Sequence, residues 1–298
     1  MQKRRVSVGF AKFWSGFDGM DFLREIPEIC RYFHFELSDN PQFLFYSCFD
    51  GALPKGDFVR IFYTGENRRP NMDECDWALG FEYEDAINSP RYLRLPNYCF
   101  VCGANELVRV EQPVATKPRF CNFLYSKNIS YRNTFFELLS CYRPVDAPGG
   151  CQNNFSHPSL KPRASREWRF GIPEFMSEYK FTIAFENESH PGYTTEKIVH
   201  AMLGNSVPIY WGNPLIARDF NPKSFVNLHD LAEPHEHGLP HPSLGLMKRT
   251  VDLVRAIDSN DAMYRSFLNE PWFHENKTSP FMDPLRILRF FKKVFGES

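Results

Sequence analysis

Along the first 110 residues, apolar positions alternate in short runs separated by polar, Gly- and Pro-containing breaks, the period of strands. Val6, Val8 and Phe10 alternate within 5–10, and further strand-like runs fall at Phe43–Ser47, Phe58–Thr64, Trp77–Phe81 and Tyr92–Leu95. The helical period is sparser there, and 19–33 is its best segment. A Pro-rich, polar stretch at 111–118 reads as a linker. Beyond it, Arg119–Ser126 opens a second α/β unit, followed by a helix over 130–142 opened by Ser130 and an irregular Gly/Pro/Ser/Asn-rich loop over 146–170.

The segment 180–214 has the clearest pattern. Phe181, Ile183 and Phe185 alternate with Thr182 and Ala184 as a strand, the polar run Glu186–His190 follows, and Pro191-Gly192 breaks the chain. Thr194 is placed to cap a helix with Glu196 and Lys197 in its first turn and Ile198, Ala201 and Met202 on one side. Gly204-Asn205 stops it, and Val207–Trp211 reads as the next buried strand. A short strand at Ser224–Leu228, a His/Pro-rich loop over 233–242 and helical patterns at 246–257 and 260–268 follow. The chain closes on a helix capped by Asp283 with Pro284 in its first turn. Its apolar side is Leu285, Leu288, Phe291 and Phe295; packing on a domain explains this pattern, and binding at a membrane surface is the alternative.

Composition narrows the class. With 298 residues, 43% of them hydrophobic, the chain exceeds one ordinary core and reads as two domains. Thirty-five Lys and Arg against 36 Asp and Glu give a net charge of −1, so no overall field points to nucleic acid, and an anionic ligand would need a local basic site. No window reaches the ~18 uninterrupted apolar residues of a transmembrane helix, and the basic N-terminus lacks the apolar stretch of a signal peptide. The eight cysteines read as reduced thiols. Cys99 and Cys102 form a single CxxC without the second pair a structural zinc site needs. His237 and His241 have helical spacing, but Gly238 and Pro240 favour a mobile loop over a metal site.

The junction at 186–197 carries the chemistry. Lys197 and the amides of the helix start could together neutralise a diphosphate. Glu196 beside them suits hydroxyl groups better than phosphate, which points to a sugar on that diphosphate, with Asn187 and Tyr193 offering an amide and an aromatic face. A capped surface helix with Glu196 and Lys197 solvated is the competing explanation of the same pattern.

The quoted residues resemble the signature of the α1,3-fucosyltransferases, glycosyltransferase family ten: Phe185-Glu186-Asn187, then Gly192-Tyr193-Thr194-Thr195-Glu196-Lys197, then Val207-Pro208-Ile209-Tyr210-Trp211-Gly212. Glu188 stands where the family has Ser, and Thr194 where it has Val. The similarity extends over roughly 5–230, through Asp219–His229 downstream and Tyr63–Asn67, Arg91–Arg94 and Trp14 upstream. The resemblance implies a GT-B fold, two Rossmann-like α/β domains facing a cleft. The first, 1–112, would receive the acceptor; the second, 113–280, would bind GDP-fucose; the helix of 281–298 would return to the first.

The resemblance also implies roles. Asn187, Tyr193, Glu196, Lys197 and Arg132 match donor contacts, with Lys197 and Arg132 on the phosphates and Glu196 beside the fucose. Glu66 matches the family's base; a plain Thr-Gly-Glu-Asn turn is the alternative, and Glu74, Asp73 and Asp76 are weaker candidates. The implied reaction is inverting transfer of fucose to a hydroxyl, O3 of N-acetylglucosamine in an oligosaccharide. No Asp-x-Asp motif argues for a bound metal; no cofactor is expected, and a metal ion would be a stimulant at most. Two alternatives share these features: use of another nucleotide sugar, and non-catalytic binding of a glycan or nucleotide. Without a stem or anchor in the sequence, the expected setting is the cytoplasm of a bacterium; peripheral membrane association through the closing helix is the alternative to its packing on a domain.

Overall fold

The computed structural model describes residues 3–101, 104–109, 116–161 and 171–296. Cys102, most of the linker stretch and the end of the 146–170 loop lie outside them. The chain forms two compact units, residues 1–100 with 279–298, and residues 101–278.

The first unit holds strands β1 (Arg4–Ala11), β2 (Phe33–Leu37), β3 (Phe43–Tyr46), β4 (Val59–Tyr63), β5 (Trp77–Gly80) and β6 (Tyr92–Arg94). Helices α1 (Gly19–Arg24), α2 (Pro27–Tyr32) and α3 (Glu84–Ile87) lie between them. All strands are parallel, in the order β2-β1-β3-β4-β5-β6, with Phe10 beside Phe45 and Phe45 beside Ile61. Val8, Phe45, Ile61 and Leu79 build the larger core, while the alternate residues Tyr46, Phe62 and Ala78 build a smaller one on the opposite face. The expected single helix over 19–33 is instead two short helices, because Pro27 has no amide to continue α1 and starts α2. Phe33-His-Phe-Glu-Leu then forms a strand that the periodicity did not single out.

The second unit holds β7 (Arg119–Asn122), α4 (Ser130–Ser140), β8 (Val145–Asp146), α5 (Gly171–Met176), β9 (Tyr179–Phe185), α6 (Lys197–Leu203), β10 (Val207–Trp211), β11 (Val226–Asn227), α7 (Leu244–Asp258) and α8 (Asp261–Asn269). Its sheet is also parallel, in the order β11-β10-β9-β7-β8. Near-continuous burial along β9 and β10 means that both faces of the sheet are covered. α4 begins at Ser130, as expected, and its N-cap Ile129 makes no side-chain bond there. The 233–242 loop carries a short turn at Pro234–Glu236, and the buried Glu236 carboxylate accepts from Ser243, Arg249 and the Glu233 amide.

The last helix, α9 (Pro284–Val294), belongs to the first unit. Ile287, Leu288, Phe290, Phe291 and Val294 are buried, Phe290 meets Trp77, and Phe295 packs its ring on Phe33, Phe35 and Phe43. Leu285, expected on the apolar side, is 63% exposed. The apolar face that suggested membrane binding is therefore spent on the protein's own core. No helix among the described residues is long and apolar enough to cross a membrane.

Candidate functional site

In both units the strand order reverses between the first and third strands, β1/β3 in one and β7/β9 in the other. The carboxyl ends of parallel strands at such a reversal are where open α/β sheets hold ligands, because the connecting loops diverge there. The Glu186–Lys197 segment leaves β9 at this position.

Its organising residue is Glu186, which is fully buried at the strand end. Its own amide donates to the Trp211 carbonyl at 2.7 Å, and its carbonyl accepts from Tyr131 Oη at 2.5 Å. One carboxylate oxygen takes the Thr195 amide at 2.7 Å; the other takes the Thr195 hydroxyl at 2.7 Å and Lys197 Nζ at 3.0 Å. Gly212 makes room for this side chain, since a Cβ there would lie 2.4 Å from Glu186 Cγ. The anion expected from outside at the start of α6 is thus partly supplied from within.

Lys197 opens α6, its side chain 19% exposed and its Nζ also 2.7 Å from Thr195 Oγ1. Burial alone would lower its pKa; the facing carboxylates of Glu186 and then Glu196 outweigh this and raise it, so the ammonium stays charged. Glu196 occupies the N-cap position without making a side-chain cap bond, its carboxylate 3.8 Å from Lys197 Nζ and 36% exposed. Burial pushes this carboxyl up, but the charges of Lys197 and His200 prevail and hold it below the usual carboxylate range. Thr194, expected to cap the helix, is buried and accepts instead from Asn213 Nδ2 at 3.2 Å.

The loop between β9 and α6 is fastened to the end of β10. Asn213, fully buried, takes the Gly192 amide on Oδ1 at 2.8 Å, with Gly192 at φ 84°, where a side chain would be strained. Ser189 Oγ donates to the Gly212 carbonyl at 2.8 Å, and His229 Nε2 lies 3.1 Å from the same oxygen while its ring stacks on Trp211.

Arg132, on α4, is also buried. Its Nη2 donates to the Phe185 carbonyl at 2.6 Å and to Asn187 Oδ1 at 2.7 Å, and its guanidinium lies 4.2 Å from the Tyr125 ring centre. Its Nε is buried without a partner. Arg132 therefore fixes Asn187 and the end of β9 directly. Tyr193, expected to offer an open ring, is only 3% exposed.

The structure thus gathers Arg132, Asn187, Tyr193, Glu196 and Lys197 in the second unit, while Glu66 lies in the first. Glu66 follows β4 in a loop whose turn is set by its own amide donating to Thr64 Oγ1 at 3.1 Å. Its carboxylate has no hydrogen-bond or ion-pair partner among the described residues. Sequence reasoning gave no role to Glu186, Thr195 or Asn213; the one available signal was an acidic residue placed directly after a fully apolar strand. Among the described residues, no cluster of three or more His, Cys, Asp or Glu side chains could hold a metal ion, and no disulfide joins the described cysteines.

Two Rossmann-like units, with a cation and a carboxylate at the end of the second sheet, define a two-domain α/β architecture. The comparisons with known proteins agree. Residues 8–101 match the alpha-(1,3)-fucosyltransferase FucT N-terminal domain, and residues 115–282 match the C-terminal part of glycosyltransferase family 10 (fucosyltransferase). The chain belongs to glycosyltransferase family 10. It is 30% identical over 280 residues to the alpha-(1,3)-fucosyltransferase FucT of Helicobacter pylori, covering 79% of this chain and 52% of that protein. It is 36% identical over 221 residues to a putative fucosyltransferase of Acanthamoeba polyphaga mimivirus, covering 72% of this chain and 34% of the relative. It therefore spans about half or less of the length of these relatives. A crystal structure of an alpha1,3-fucosyltransferase with GDP-fucose superposes with a TM-score of 0.77 at 24% identity, over 100% of this chain and 92% of the other. That similarity establishes the fold.

Proposed function

We propose that the protein transfers fucose from GDP-fucose, with inversion, to a hydroxyl of an oligosaccharide acceptor, O3 of N-acetylglucosamine. The observation that carries this reading is the pairing at the start of α6 of an ammonium held charged, Lys197, with a partly exposed, ionised carboxylate, Glu196. A bare phosphate would be repelled by Glu196, whereas a sugar diphosphate offers phosphate to Lys197 and hydroxyls to Glu196. The family membership supports the same donor.

In this reading the second unit holds GDP-fucose and the first receives the acceptor. Glu66, whose carboxylate is not engaged by the described residues, takes the proton of the acceptor hydroxyl. The freed oxygen forms a bond to the anomeric carbon as the bond from that carbon to the diphosphate oxygen breaks, and GDP leaves with the electron pair. Lys197 meets the charge that develops on the leaving oxygens, a contribution of about 3 kcal/mol in comparable sites. Arg132 contributes to the phosphate site, and its two bonds here also set Asn187 in place. Asn187 lines the donor site from the loop before α6, and the buried Tyr193 supports that loop from behind.

The test is transfer from GDP-fucose compared with GDP-mannose, to N-acetyllactosamine and to chitobiose. Fucosylation at O3 from GDP-fucose alone supports the proposal. Use of GDP-mannose would move the protein to another donor, and GDP binding without turnover would make it a binding protein.

A further inference from the structure

The strand reversal in the first unit, between β1 and β3, has a surface of its own, and nothing above uses it. The chain leaves β1 through Lys12, a non-glycine residue in the left-handed region at φ 58°. Such a conformation costs about 1 kcal/mol or more and persists only where the surroundings impose it, commonly at ligand sites. Here the Lys12 carbonyl accepts the amide of Phe49, which leaves β3, at 3.0 Å, so the two loops at the reversal are tied together.

Next comes Trp14. Its carbonyl accepts the Phe17 amide at 3.1 Å, closing a tight turn that includes Gly16 at φ 82°. Three aromatic rings buttress the indole edge-on, with centroids at 6.0 Å for Phe13, 4.7 Å for Phe17 and 5.7 Å for Phe49. Trp14 nevertheless remains 44% exposed, and no other tryptophan among the described residues is an exposed large apolar side chain. A large ring packed from behind and open in front loses little freedom when something lies on it.

Its neighbourhood says what that something is. Glu66 follows β4, the strand beyond β3, and the two loops touch where Cys48 Sγ lies 3.2 Å from Thr64 Oγ1, the oxygen that takes the Glu66 amide. Neighbouring strands are about 4.8 Å apart, so the ends of β1 and β4 are separated by about 10 Å along the sheet edge. An aromatic platform and an unengaged carboxylate therefore share one edge, at the carboxyl ends of the same sheet. A pyranose has one apolar face of C–H groups that suits an aromatic ring and a rim of hydroxyls that suits a carboxylate.

We infer that Trp14 is the acceptor platform, stacking on the sugar ring whose neighbour presents its hydroxyl to Glu66. This deepens the proposed function and rests on its assignment of Glu66. Trp14 is a specificity-determining residue, not a catalytic one.

N-acetyllactosamine is the probe, with Trp14→Ala and Trp14→Phe in the full chain. In Trp14→Ala the acceptor KM rises about tenfold, while the KM for GDP-fucose and the slow hydrolysis of GDP-fucose without acceptor stay unchanged. Trp14→Phe keeps the KM within about threefold of the parent. Saturation-transfer NMR on the parent shows contact to the sugar's C–H face, and Trp14→Ala loses it. An unchanged acceptor KM, an equal rise in both KM values, or a changed oligomeric state with unchanged acceptor KM would overturn the inference, the last marking an interface between copies. If the parent transfers no fucose, the proposed function falls, and the NMR contrast alone then decides the platform.

Discussion

Replacing Glu186 by Gln tests whether an internal carboxylate sets the charge of the donor site. Glu186 is fully buried and gives Lys197 its nearest counter-charge, at 3.0 Å, while accepting the amide and hydroxyl of Thr195. Gln keeps the shape but supplies one oxygen and an N–H₂ where two oxygens were needed. Either the Thr195 amide or the Lys197 ammonium is then left facing a donor. Removing one member of a buried pair costs about 3–5 kcal/mol. The lower end applies here, because the Lys197 side chain keeps 19% exposure and Glu196 remains 3.8 Å away. The effect has a sign in pH. Lys197 is raised above its unfolded value, so its stabilisation is fully present below that value and is lost as pH rises through the folded value. Without Glu186, burial and the nearby Arg132 charge pull Lys197 down, so its alkaline loss of stability shrinks while the loss of GDP affinity moves toward neutrality. Urea unfolding between about pH 7 and 10, with GDP affinity by calorimetry at the same values, measures both. A Glu186→Gln protein with stability within about 0.5 kcal/mol of the parent and an unshifted alkaline limb would refute the reasoning, since changes of that size are ordinary for surface positions.

Three other outcomes follow from single contacts. Glu66→Gln should lower fucose transfer about 10²–10⁴-fold while GDP affinity by calorimetry stays at the parent value. Asp258→Ala should cost about 3 kcal/mol by urea unfolding, because the buried Asp258 carboxylate is shared by Lys180 at 2.5 Å, Arg143 at 2.7 Å and Tyr142 at 3.0 Å. Burial pushes His229 down to about 4 from an ordinary 6.5, with the Gly212 carbonyl opposing. A group kept neutral in the fold that must bind a proton when unfolded favours the folded state fully above 6.5, so that contribution should fade between pH 6.5 and 4 and be missing in His229→Gln.

Much of this was legible in the chain. Runs such as Phe43–Tyr46 and Val207–Trp211 are continuously apolar, and strands buried on both faces look that way in sequence. The second strand was not legible, because Pro27 divides a segment with helical spacing and the alternation of Phe33, Phe35 and Leu37 begins directly after it. The last helix was legible as an element but not in its rotation: Leu285 was assigned inward, whereas Ile287 and Phe290 make the contact. At the site, Glu196 and Lys197 stood out because they are adjacent. Glu186 did not, because its role arises only when the end of β9, Thr195, Lys197 and Trp211 are brought together, and no local spacing records that.

The central claim is met most directly by the product itself. GDP-fucose and N-acetyllactosamine are incubated with the protein, and the trisaccharide is examined by NMR for the position and anomeric configuration of the new bond. The account predicts fucose on O3 of N-acetylglucosamine, with configuration opposite to that in the donor and one GDP released per bond. Retained configuration, or release of GDP without any fucosylated product, would contradict it.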